Sequence, residues 1–213
     1  MSQMVPNPCP PAQEIRVLDG GLQSAEPRNG LGYADRLATT SFGYPSLPHW
    51  CVWIEPEPEG SVAGNRWLKR WADALDAALN SWSEVIPVTR VAEIERAHVM
   101  VFRKRPPLRQ LASGWRASNG RSLLKIVEVQ RETANQLEPR VKVMVSPELR
   151  APVLQATALH ELGHAFGLWG HSEQMEDVMA VSQGALPLLN FSARDKITLR
   201  WVRSQSNDFG KAR

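Results

Sequence analysis

Three of the chain's five histidines, His160, His164 and His171, fall within twelve residues in the stretch HELGHAFGLWGH. Residues four apart on a helix lie on one face, roughly 6 Å from each other along the axis. His160 and His164 can therefore aim two imidazoles at one point. Glu161 lies about 100° round from His160, beside an ion held by the rings but not needed as a ligand. Two neutral ring nitrogens, with a carboxylate placed to act as a base toward water, are what a zinc hydrolase requires.

Three features set this stretch apart from a chance pentapeptide. Gly163 and Gly167 interrupt good helix formers where backbone must pack closely or reverse. A third histidine, His171, follows just past Gly167, where a sharp turn would swing the chain back toward the same ion. Met179 comes eight residues later in the uncharged run Val178-Met179-Ala180. The pattern resembles that of the metzincins, and among them the matrixins, whose signature is HExxHxxGxxH followed by a Met-turn. Ser172, directly after the third histidine, is also matrixin-like. The resemblance implies His160, His164 and His171 as zinc ligands and Glu161 as general base. It also implies Gly167 as the turn glycine and Met179 as a supporting thioether without a proton to move.

The chain departs from that pattern in places. One extra residue separates Gly167 from His171, so His171 is the ligand to test, with Glu173, Glu176 and Asp177 as substitutes. No tyrosine or proline follows Met179, so the pocket wall must be built differently, from about Gln183 to Leu189. No Asp lies between Asp76 and Asp177. The structural zinc and calcium sites of vertebrate matrixins need such residues, and they are expected to be absent. His49 and His98 are expected to be ordinary histidines. The resemblance further implies a zinc endopeptidase acting on a protein or peptide substrate, bound extended along an edge strand at Leu123–Val129. The alternatives are a zinc hydrolase with another third ligand or a non-peptide amide substrate, or an inactive zinc-binding protein. Matrixin-like zymogens use a pro-segment cysteine as a fourth zinc ligand. Cys9 sits where such a residue would, but its surroundings NPCPPAQ lack the family's flanking residues; a free cysteine or a bridge to Cys51 is the default expectation.

The elements that must position these residues are readable in outline. Leu68, Trp71, Leu75, Ala78, Leu79 and Trp82 recur at steps of three and four, which predicts an amphipathic helix of about 16 residues. Cys51–Ile54, Ile86–Val91, Ala97–Lys104, Leu123–Val129 and Val141–Val145 read as strands. Pro152 suits the first turn of a helix running from Val153 to Phe166. Ser192 with Asp195 reads as a capping box opening a final helix. The expected class is α+β: a twisted mixed sheet of about five strands, a long helix and an active-site helix, then a small C-terminal subdomain with the Met-turn and the final helix. The Pro- and Gly-rich residues 1–48 read as a poorly ordered extension, 49–205 as the catalytic domain and 206–213 as a tail.

Composition bounds the rest. The chain has 213 residues, 43% of them hydrophobic and 22% charged, which fits a packed domain. No apolar run is long enough to span a membrane, and no signal peptide is visible at the N-terminus. A net charge of +3 does not point to nucleic acid, and a monomer is expected. Between Arg103 and Arg131, however, eight Lys or Arg residues face a single acid, Glu128. That is either a solvated face or a patch favouring acidic partners.

Overall fold

The spacing of tryptophan and leucine in NRWLKRWADALDAALNSW produces helix α1, Arg66–Ser83, whose N-terminus is capped by the Asn65 side chain accepting from the Trp67 N–H at 3.1 Å. Trp71, Leu75, Ala78, Leu79 and Trp82 are its buried stripe. The computed structural model describes residues 8–24, 31–58, 60, 65–111, 114–131, 134–182 and 186–213. Its architecture is α+β, with a mixed six-stranded sheet and three helices.

The strands are β1 (Ala12–Leu18), β2 (Trp50–Ile54), β3 (Val88–Val91), β4 (Val99–Arg103), β5 (Gly120–Arg131) and β6 (Ala134–Val145), in the spatial order β1-β5-β6-β4-β2-β3. The pairs β6–β4, β4–β2 and β2–β3 are parallel, while β5 runs antiparallel to both β6 and β1. Val99, Val101, Val141, Val143 and Val145 are fully buried, as expected where a sheet is covered by helices. Helices α1 and α2 (Ala151–Ala165) pack on each other and on the sheet. Two indole N–H groups tie these layers: Trp71 Nε1 donates to the Val145 carbonyl at 3.2 Å, and Trp82 Nε1 to that of Leu159 at 3.0 Å. Helix α3 (Ala193–Ser204) opens with the Ser192–Asp195 capping box.

The described N-terminal residues differ from the sequence-based expectation of a poorly ordered extension over 1–48, of which 1–7 and 25–30 lie outside the described residues. Ala12–Leu18 forms β1, paired with Ile126–Arg131 of β5. Tyr33, Ala34, Leu37, Tyr44 and Leu47 are core residues. The boundary at residue 48 therefore separates parts of one packed unit. Among 206–213, expected as a tail, Phe209 is also buried, and the Gly210 N–H donates to the Leu137 carbonyl. Strand β1 escaped notice because its side chains are mostly exposed and it is held by backbone pairing, which leaves no apolar pattern. Strand β5 is correspondingly an edge only over Gly120–Lys125, not over the whole of Leu123–Val129.

Two further features hold the N-terminal segment. Cys9 is disulfide-bonded to Cys51 on β2, so it is not a fourth ligand at the histidines. Arg131 donates to the Pro10 carbonyl and to Glu138, which is itself 1% exposed and faces Arg140 at 3.5 Å. Burial alone would raise the Glu138 pKa, but the His98 ring 3.6 Å away and the hydrogen bonds from Arg131 outweigh it and hold the carboxyl at about 2. His98 is kept neutral by burial, with its Nδ1 accepting from the Cys51 N–H at 3.0 Å.

Two stability predictions follow from these contacts. The disulfide closes a loop spanning 42 positions, worth about 4 kcal/mol of denatured-state entropy in the chain-entropy treatment. Replacing both cysteines by serine, or adding reductant to the wild type, should lower the urea midpoint to the same extent. Glu138→Gln leaves two buried guanidinium groups undercompensated and should cost about 3–5 kcal/mol at pH 7. Because the folded pKa is depressed, the carboxylate's contribution is present above its unfolded value of about 4.3 and is lost as pH falls toward 2. The wild-type advantage in urea melts should therefore shrink across that acidic window; an advantage independent of pH would contradict this account.

Candidate metal centre

Helix α2 carries His160, Glu161 and His164, and its end sets where His171 can go. Gly167 adopts φ +112°, donates its N–H to the His164 carbonyl at 3.0 Å, and is followed by a Leu168 N–H to Gly163 carbonyl bond at 2.9 Å. That pair of bonds is a Schellman ending, which reverses the chain. Immediately afterwards, before His171, the Gly170 N–H donates to the Leu168 carbonyl in a tight turn. The N-terminal segment braces this turn. The Ala38 N–H donates to the Trp169 carbonyl at 2.6 Å, and Leu37 bridges Gly170.

The result is convergence. The ring centroids of His160, His164 and His171 lie 4.9 to 5.2 Å apart, and one nitrogen from each lies within 4.8 Å of the others. Two of the rings have their tautomers fixed. His160 Nδ1 meets the Val178 carbonyl at 2.7 Å, and His164 Nδ1 meets the Leu168 carbonyl at 2.8 Å. A carbonyl only accepts, so each Nδ1 carries the proton and each Nε2 presents a lone pair. Burial lowers the pKa of all three rings, that of His160 to about 4. They are neutral at pH 7, the state a metal ion needs. The donor set thus fits a divalent cation held by three imidazoles.

Glu161 sits beside the triad and is 8% exposed. Burial raises its pKa to about 7, against the opposing pull of the Ser122 hydrogen bond and the Arg121 charge. Ser122 Oγ contacts Glu161 Oε2 at 2.7 Å. A Cβ at Gly120 would lie 2.5 Å from Glu161 Cγ, so only glycine lets strand β5 approach the carboxylate. These β5 residues carry no local signal that sequence reasoning could use; a strand contact 39 positions away is set by the fold.

Beneath the three histidines, Met179 is fully buried, and its sulfur occupies the space where a Cβ on Gly163 would stand. The segment carrying it is tied by Asp177 and Asp195. Asp177 accepts from Ser172 Oγ and Ser192 Oγ, each at 2.5 Å. Asp195 accepts from the Val178 N–H at 2.9 Å and from Tyr33 Oη at 2.7 Å. Of the substitute ligands, Asp177 is committed to this network and Glu173 to Arg36 and Arg194, each at 2.9 Å; Glu176 is not among the clustered ligand atoms. The other group of metal-ligating types among the described residues, Cys9, His49 and Cys51, has both sulfurs joined in the disulfide. His49 Nε2 is instead 3.0 Å from Thr89 Oγ1.

A cleft of about 730 Å³ opens over the triad, lined by Glu161, Gly120–Ser122, Arg109, Trp169 and Val181 among others. Of the segment expected to form the pocket wall, residues 183–185 lie outside the described residues. No protein-family model matches the chain, and no curated protein matches it.

If the three rings act together, a divalent cation supplied at about 100 times its Kd should raise unfolding stability by about 2.7 kcal/mol. His171 is the exposed member, so His171→Ala should fold normally. It should weaken binding of Zn²⁺ in a calorimetric titration by more than the roughly 10–100-fold seen on losing an outer-shell partner. Unchanged affinity in that variant would remove His171 from the ligand set.

Proposed function

We propose that the chain is a zinc-dependent endopeptidase with a matrixin-like metzincin catalytic domain. The observation that carries this reading is the meeting of three neutral, outward-presented imidazole nitrogens with a buried carboxylate on one side and an open cleft on the other. Three nitrogen ligands with a free fourth position are the donor set of catalytic rather than structural zinc. When bound, zinc supplies Lewis-acid activation of water and of the substrate carbonyl.

The remaining work falls to side chains of this protein. Glu161 takes a proton from the attacking water and delivers it to the departing amine. The Ser122 hydroxyl holds that carboxylate in place, while Val178 and Leu168 hold the rings. Met179 fills the floor of the site and keeps it apolar. The substrate adds as an extended strand to Gly120–Lys125, the stretch of β5 that β1 leaves unpaired next to Glu161. Main-chain pairing there accepts many sequences, which suits a protein or peptide substrate.

The test is hydrolysis of casein by the zinc-loaded chain. Glu161→Ala should reduce the rate by about 10²–10⁴-fold while zinc content stays at one per chain. A chelator should abolish cleavage and added zinc restore it. Stoichiometric zinc binding without cleavage of casein or of a mixed peptide library would refute the peptidase reading.

A further inference from the structure

The cleft carries positive charge and hydrogen-bond donors that the protein itself does not answer. Among its lining residues Arg109 and Arg121 are the fixed cations, and Glu161 is the one acid. Arg121 Nη2 is buried yet has no hydrogen-bond partner among the described residues. Ser118 Oγ and Trp169 Nε1, which line the same cleft, are in the same condition. Six buried side-chain atoms of the described residues lack a hydrogen-bond partner, and half of them belong to residues lining this one cleft. Native proteins leave few such atoms, and a buried guanidinium N–H without an acceptor is costly. Guanidinium and indole groups donate only. What completes the set is therefore an acceptor-rich group, and a negative charge is the best match.

The location narrows the choice. Arg121 lines the same cleft as Glu161 and the three histidines, and it belongs to the unpaired stretch of β5. Its charge reaches Glu161. A group held by Arg121 in that cleft therefore shares it with Glu161 and the three rings rather than lying at a remote site. Arg109, exposed on the two-stranded ribbon formed by Arg109–Leu111 and Gly114–Arg116, adds a second cation at the rim. The local excess of basic residues between Arg103 and Arg131 adds to the same field.

We infer that Arg121, assisted by Arg109, selects substrates carrying a carboxylate close to the bond that is cut. This rests on the peptidase reading and adds its specificity. The carboxylate belongs either to an Asp or Glu side chain or to the substrate's own C-terminus.

The experiment uses the zinc-loaded full chain and internally quenched peptides in matched pairs. Each pair differs by Glu against Gln at one position along an otherwise neutral sequence, and each peptide is made with an amidated and with a free C-terminus. At one position Glu should exceed Gln by about tenfold or more in kcat/KM, chiefly through KM. Arg121→Gln should bring that ratio close to one. Because Arg121 also acts on Glu161, the variant shifts the rate on every peptide, and the ratio cancels this common effect. Arg121→Lys, which keeps the charge but not the planar fork, should retain part of the preference.

Preference at an internal position in amidated peptides assigns the carboxylate to an acidic side chain. Preference only for free C-termini assigns it to the chain end. Equal cleavage of Glu and Gln peptides, together with equal cleavage of free and amidated termini, overturns the inference while leaving the peptidase reading intact. So does a wild-type ratio in Arg121→Gln. Cleavage of no peptide by the zinc-loaded protein overturns both.

Discussion

The site depends on two carbonyl oxygens. Val178 and Leu168 accept from the Nδ1 atoms of His160 and His164, and without them neither ring has a fixed tautomer or a fixed direction. An imidazole on a helix can rotate about two bonds, so spacing brings the rings to one face but does not aim them. The carbonyls do the aiming, because each can only accept. Both belong to irregular segments beyond α2, which must therefore be held as firmly as the helix.

Each segment is held by a different device. The Leu168 carbonyl is positioned by the Schellman ending at Gly167 and by the turn that Ala38 and Leu37 brace from the N-terminal side. The Val178 carbonyl is positioned because its own N–H bonds to Asp195, which also accepts from Tyr33 and from the Ser192 N–H. Asp195 is thus both the capping-box partner of α3 and the anchor of the segment under the rings. A capping box usually contributes its roughly 1 kcal/mol to the helix alone. Here it also transmits the position of α3 to His160. Gly163 and Met179 close the remaining gap, since any larger residue at 163 would occupy the sulfur's place.

This division explains what could be read from the sequence. The convergence of His160, His164 and His171 beside Glu161, Gly167 and Met179 was legible because these residues are close together in the chain and obey helical and turn geometry. Helices α1, α2 and α3 were legible through apolar period, Pro152 and the Ser192–Asp195 cap. Strands β2, β4 and β6 were legible as short apolar runs. The contributions of Ser122, Gly120, Asp177 and Tyr33 were not, because each acts across a large sequence separation. The N-terminal residues were read as an extension since their Pro and Gly content resembles a linker. The described ones are held instead by the disulfide, by Arg131 reaching Pro10, and by backbone pairing along β5, none of which imposes a local pattern.

The pairing of β1 with β5 also bears on how the cleft works. An unpaired strand edge invites association with other chains, and proteins usually cover it or interrupt it with charge. Here the cover is partial. Strand β1 pairs as far as Leu18 opposite Ile126, and then the chain turns away through Asp19–Gly21. Between that turning chain and Ser122–Ile126 lies a groove of about 350 Å³, which shares Ser122 and Trp169 with the cleft over the histidines. The uncovered stretch carries Arg121 and Lys125 and ends beside Glu161. Had β1 continued by six residues, it would have filled the track that the proposed substrate uses. The edge is thus closed where it has no chemical task and left open where a carboxylate and three imidazoles stand next to it. The same strand that protects the sheet would fix one end of the proposed substrate track.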